Sequence, residues 1–102
     1  MEAIGPLQLR VMHHIWRQDP EIAHTVHSVH DALNEEAGAP KLAYTTILTV
    51  MRNLAKRGVL EQRPAGRSHA FRPLIDERSY KRAILREVRE ALFAGDTDRM
   101  LS

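Results

Sequence analysis

The chain of 102 residues has no cysteine. That excludes disulfides, thiolate metal sites and cysteine nucleophiles, and it fits a reducing cytoplasm. The opening Met1-Glu2-Ala3-Ile4-Gly5-Pro6 lacks a basic n-region and an apolar h-region. No uninterrupted apolar run approaches the roughly 18 residues of a membrane span. A soluble, cytoplasmic protein with no recognisable export signal is therefore expected. Nor do a nucleophile, a base and an orienting acid stand at an interpretable spacing, so catalysis is not expected and no cofactor or metal is assigned. The 43% of hydrophobic residues suffices for one compact core and no second large one.

A further absence is local. Between Lys41 and Gly58 there is no acidic residue, although the stretch reads as one amphipathic helix. At about 100° per residue, Ile47, Val50, Met51 and Leu54 share a stripe that must pack on a core. The opposite stripe holds Thr45, Thr49, Arg52 and Lys56, with Thr46 and Asn53 on its flank. Solvated helix faces commonly mix both signs of charge. Hydroxyls, an amide and cations without a carboxylate are instead the groups that reach base edges and phosphates in a DNA major groove. Gly58 suits the position just past the helix end, with Lys56 and Arg57 favourable to the dipole.

Charge is distributed to match. The net +2 divides into −4 over residues 1–40, +6 over 41–72 and 0 over 73–102. Concentrated positive charge of this kind is the footprint of a nucleic-acid contact surface.

The remaining elements frame that helix. A first helix should begin at Pro6, bury Leu7, Val11, Met12, Ile15 and Trp16, and end at Gln18-Asp19-Pro20. Thr25-Val26 reads as a brief extended segment, and a second helix follows from about His27 through Glu36, stopped by Gly38-Ala39-Pro40. His13 and His14 read as boundary residues. His24, His27 and His30 recur every third residue, which makes a metal- or ligand-sensing site the alternative function, though no fourth ligand is evident. After Gly58, Val59 to Arg63 and Ser68 to Arg72 read as strands joined by Pro64-Ala65-Gly66-Arg67, a basic hairpin with Arg67 at its tip. Pro73 ends it. Three helices followed by such a hairpin make a winged helix-turn-helix, so the fold class is mainly α with a small β-hairpin. The residues expected to meet DNA are Tyr44, Thr45, Thr46, Thr49, Arg52, Asn53, Lys56, Arg63, Arg67 and His69.

A fourth helix starts after Asp76 as N-cap, with Ile75 and Tyr80 placed as a hydrophobic staple. Tyr80, Ile84, Leu85, Val88 and Leu92 form an apolar ladder expected to be a dimer seam. The domains expected are 1–74, a winged-helix DNA-binding domain, and 75–102, a helical dimerisation segment. Met100-Leu101 suggests a further helix barely begun.

Several stretches resemble the penicillinase repressors of the BlaI/MecI type, a family that includes copper-responsive repressors. They are Leu7 to Trp16, Leu42 to Leu54, Lys56 to Leu60 and Gly66 to Pro73, and their order and spacing carry the match. The resemblance implies that Thr45, Thr46, Thr49 and Arg52 face operator DNA, that Arg67 lies in the wing and that helices after Pro73 dimerise. It also brings departures. Family members usually have a longer C-terminal region, about one helix more than here. The Asn-Phe bond at which the penicillinase-type members are cleaved is absent, as is the cysteine cluster of the copper-responsive ones. Expected, then, is a repressor that binds a palindromic operator as a homodimer, with a regulatory sensor protein as a further partner. A winged helix used only for protein contacts is the other alternative.

Overall fold

The computed structural model describes residues 3–94. Its elements run α1 (Pro6–Trp16), α2 (Val26–Asn34), α3 (Tyr44–Lys56), β1 (Leu60–Ala65), β2 (Ser68–Pro73) and α4 (Glu77–Leu92). Met100-Leu101 lies outside the described residues. Among those residues no helix is long and apolar enough to cross a membrane.

Three helices bury one stripe each on a common centre. Val11, Met12 and Ile15 come from α1, Val26, Val29 and Leu33 from α2, and Ile47, Val50, Met51 and Leu54 from α3. Val59, Leu60 and Phe71 close this core from the root of the hairpin. These are the periodic positions of the sequence, because only a 3.6-residue repeat keeps one face turned inward.

Element ends differ from the reading by a few residues. The expected extended segment is the N-cap of α2 itself. Thr25 is extended at φ −90°, its hydroxyl accepts from Ser28 N, and Val26 already belongs to the helix. At the other end α2 stops at Asn34, whose side chain turns back to Leu42: Oδ1 accepts from Leu42 N at 2.7 Å and Nδ2 donates to Leu42 O at 3.0 Å. The link is thereby held extended, so α3 starts at Tyr44 rather than Lys41. Gly58 does follow it in a left-handed conformation, φ +77°.

The hairpin is longer and its turn tighter than expected. Pro64 sits within β1 opposite His69, and only Gly66-Arg67 remain to reverse the chain. Gly66 at φ +62° with no positive φ at Arg67 is the pattern of a type II′ turn, which matches the twist of the strands. Proline is accommodated because β1 is an edge strand. On its other side β2 pairs with a single residue, His24, whose amide and carbonyl bond Phe71 at 2.8 and 2.7 Å. His24 is thus buried rather than part of an exposed histidine row, and its ring lies edge-on to His14 at 5.8 Å.

The first turn of α4 anchors it to this domain. Asp76 caps it, accepting from Ser79 N at 2.7 Å. Tyr80 is 5% exposed, its ring lies 5.5 Å from that of Trp16, and its hydroxyl accepts from Ile4 N at 2.9 Å. Trp16 Nε1 donates to Ile75 O at 3.0 Å. Tyr80, expected in the dimer seam, is therefore enclosed by its own chain, since the staple that starts the helix draws it into the α1 side of the core. Beyond that turn Leu85, Val88 and Leu92 are 66%, 48% and 74% exposed, with Ile84 half-buried.

Candidate nucleic-acid interface

The outward face of α3 is set by what its inward face buries. With Ile47, Met51 and Leu54 fully enclosed, Thr45, Thr49, Arg52, Asn53 and Lys56 must project to solvent, and Thr46 is half-buried at the edge. Ala43 at the N-cap provides no side-chain acceptor, and no acid occupies the first turn. The amide end of α3 therefore keeps its partial positive charge for whatever approaches it.

Tyr44 opens that end. Its ring stands edge-to-face with His27 at 5.5 Å and near His30 at 6.0 Å, so two rings from α2 fix where it points. Between α3, the start of α2 and the hairpin lies a groove of about 400 Å³. Thr25, Val26 and His27 form one wall, Tyr44, Leu48 and Arg52 another, and Gln62, Arg67, Ser68, His69 and Phe71 the third. Its mixture of cations, hydroxyls and imidazoles over a short apolar floor suits a sugar-phosphate strand.

The hairpin divides its own cations. Opposed residues in an antiparallel pair share a face, so the pairing Gln62↔Phe71 and Pro64↔His69 puts His69 on the groove side. Glu61↔Arg72 and Arg63↔Ala70 fall on the other side. There Arg63 Nε pairs with Glu61, and Arg72 lies 3.6 Å from Glu61 and 3.5 Å from Glu21. Of the ten residues expected at DNA, Arg63 alone is turned to this back face, held by an acid the sequence had already placed two residues away. Lys41 and Arg57 are also committed elsewhere, Lys41 Nζ to Asn34 O and Arg57 to Gln8 Oε1 at 3.3 Å and Ala3 O at 3.0 Å. Groove-lining residues that the sequence reading did not assign to DNA are Thr25, His27 and Gln62. Only the three-dimensional approach of α2 to the hairpin reveals them.

Two titrating groups lie behind the interface. Burial, and then the neighbouring His14, pushes the His24 imidazole below its ordinary value. Burial lowers His14 likewise, opposed by the Glu36 carboxylate and helped by Arg17. Among the described residues, His27, His30 and Asp31 form one group able to hold a metal ion. The metal alternative drawn from His24, His27 and His30 is corrected accordingly, because His24 is locked in the sheet while the other two stand on the helix.

Comparison with known proteins gives consistent matches. The family model described as "Penicillinase repressor" matches residues 4–102. Proteins named "Transcriptional regulator BlaI" from Mycobacterium tuberculosis, strains CDC 1551 and H37Rv, are 39% identical over 72 residues, 70% of this chain and 48% of theirs. The chain thus spans about half the length of these curated relatives. Two solution structures share the fold at 28% identity. The DNA-binding domain of the repressor BlaI superposes with a TM-score of 0.61 over 76% of this chain and 87% of that one. The monomeric form of Bacillus licheniformis BlaI, in complex with the blaP half-operator, gives 0.58 over 78% and 89%.

Proposed function

Because the chain belongs to the penicillinase repressor family, we propose that it is a transcriptional repressor that binds a palindromic operator as a homodimer. The relatives it matches are transcriptional regulators, and one solved relative is bound to a half-operator. The observation that carries the reading is the carboxylate-free face of α3 beside a groove lined by both Arg52 and Arg67. In this reading Thr45, Thr46, Thr49, Arg52 and Asn53 enter the major groove. Lys56, Arg67 and His69 grip the phosphate strand that runs between α3 and the wing, and Tyr44 sets the entry angle.

The unit from 1 to 74 reads DNA, and the segment from 75 joins two copies. Leu85, Val88 and Leu92, with Ile84 beside them, are the apolar surface available for that joint; Tyr80 is not. A dimer places two α3 helices on successive turns of one groove face, which is why the operator should be palindromic. A cytoplasmic location goes with this role.

Arginine bidentate to guanine discriminates by about 1 to 3 kcal/mol, and threonine can contact the thymine methyl or a base edge. Arg52→Ala and Thr49→Ala should therefore lower the ratio of affinity for a duplex selected from a random pool to affinity for its scrambled counterpart. Titrations of both duplexes at one salt concentration check this. If neither substitution changes the ratio, α3 is not the reading element.

A further inference from the structure

We propose that His27, His30 and Asp31 form a site for a divalent first-row transition ion of the zinc type, and that filling it opposes operator binding. The coupling half rests on the repressor reading above; the site itself does not.

The donor set comes from one turn of α2. One ligand atom from each of the three residues lies within 4.8 Å of the others. Ligands about 2.0 to 2.2 Å from a tetrahedral zinc ion stand about 3.3 Å from one another. His27 and Asp31 are exposed and His30 is half-buried, so modest side-chain rotations can close the difference. Two imidazoles and one carboxylate, with the fourth position left to water, are borderline nitrogen and oxygen donors that favour zinc over calcium or magnesium.

Coupling follows from which nitrogen of His30 carries the proton. Asn34 is oriented by Leu42, because its Oδ1 must face the Leu42 N–H and its Nδ2 the Leu42 carbonyl. The second Nδ2 hydrogen is then directed at His30 Nε2, 2.9 Å away, so that nitrogen is the acceptor. The His30 proton consequently sits on Nδ1, 3.2 Å from Asp31 Oδ1. An ion shared by His30 and Asp31 takes the Nδ1 lone pair, and the ring proton moves to Nε2. There it confronts the Asn34 amide hydrogens. Either the ring turns away from Asn34, or the amide flips and gives up both bonds to Leu42.

Both outcomes reach the start of α3. Leu42 lies two residues before Tyr44, and the Tyr44 ring rests against His27 and His30 themselves. The arrangement that presents Tyr44 and the first turn of α3 is the metal-free one. An ion that favours the other arrangement weakens DNA binding, and by linkage DNA weakens ion binding by the same factor.

The test begins with the full DNA-free chain titrated with zinc in competition with a chromophoric chelator. One ion per chain is expected, with affinity falling about tenfold or more in His27→Ala and in Asp31→Asn. Asp31→Asn keeps an oxygen for the His30 Nδ1 proton while removing the charged ligand, so its metal-free affinity for the selected duplex should match that of the unaltered chain. Saturating zinc should weaken duplex binding about fivefold or more in the unaltered chain and leave Asp31→Asn unaffected. Absence of one-to-one binding, or binding that survives both substitutions, overturns the site. Zinc that leaves duplex affinity unchanged or raises it overturns the coupling. Failure to bind any duplex overturns the repressor reading and the coupling with it, while the zinc titration still decides the site.

Discussion

For the dimeric repressor proposed above, how many phosphates each subunit would neutralise follows from where its cations point, and this sets a salt dependence that can be measured. Between Lys41 and Arg72 the chain has seven cations. Lys41 is bonded to Asn34 O, Arg57 to Gln8 and Ala3, and Arg63 and Arg72 stand with Glu61 on the back of the hairpin. Arg52, Lys56 and Arg67 remain on the reading side. A guanidinium held in the major groove between the phosphate strands displaces counterions as a phosphate contact does, so Arg52 is counted with Lys56 and Arg67. At about 0.9 per cation, three give a slope of log K against log salt of about −2.7 per subunit and about −5 for a dimer. All seven would give about −13 for the dimer. A rise from about 50 to about 200 mM salt should thus lower affinity by about three decades rather than seven or more. Arg67→Ala removes one contact per subunit and should flatten the dimer slope by about 1.8, while Arg63→Ala should leave it nearly unchanged. Fluorescence anisotropy of a labelled operator over a salt series measures all three slopes. A wild-type slope near −13, or equal flattening by the two substitutions, would refute the assignment of faces to the hairpin.

Two perturbations test the fold behind the site. Val88→Asp, at an exposed position of α4, should yield folded chains that sediment as monomers, with stability changed by no more than about 0.5 kcal/mol beyond the loss of dimer linkage. Tyr80→Ala should instead cost the monomer about 3 kcal/mol, visible as a lower urea midpoint, because it empties the site beside Trp16. Acid should also destabilise. His24 and His14 bind protons less readily folded than unfolded, so the stability they contribute is present above the ordinary 6.5 and is lost as pH falls from there through their lower folded values. Urea midpoints at about pH 7.5 and 5.5 should differ in that direction, and by less in His24→Phe; equal midpoints would contradict the burial of these rings.

The legible part of the molecule was what a single element's periodicity dictates. Ile47, Val50, Met51 and Leu54 had to lie on one face of α3, and every outward residue of that helix followed. Gly66, Pro73 and Asp76 marked a turn, a strand end and a helix start through backbone chemistry that acts locally. Partners and faces set by other elements were harder to read. Tyr80 sits on the same ladder as Val88, and spacing along a helix carries no record of which rung another helix covers. The side of the hairpin on which Arg63 falls depends on the register, and with a period of two a one-residue error in the turn reverses it. His24, His27 and His30 are evenly spaced, but the chain changes from strand pairing to helix at Thr25. Even spacing therefore does not mean a shared face.

If the chain binds DNA as proposed, the double hydrogen bond between His24 and Phe71 has a consequence for the kind of duplex it tolerates. It ties the hairpin to the link between α1 and α2, while Phe71 itself is packed in the core that α3 shares. The roots of the two prongs that flank the groove are thus mounted on one block, which resists their spreading or closing independently. A duplex whose groove width or twist departs from that fixed spacing must itself bend to meet both. Base pairs that neither α3 nor the wing touches should then influence affinity through the energy of deforming them.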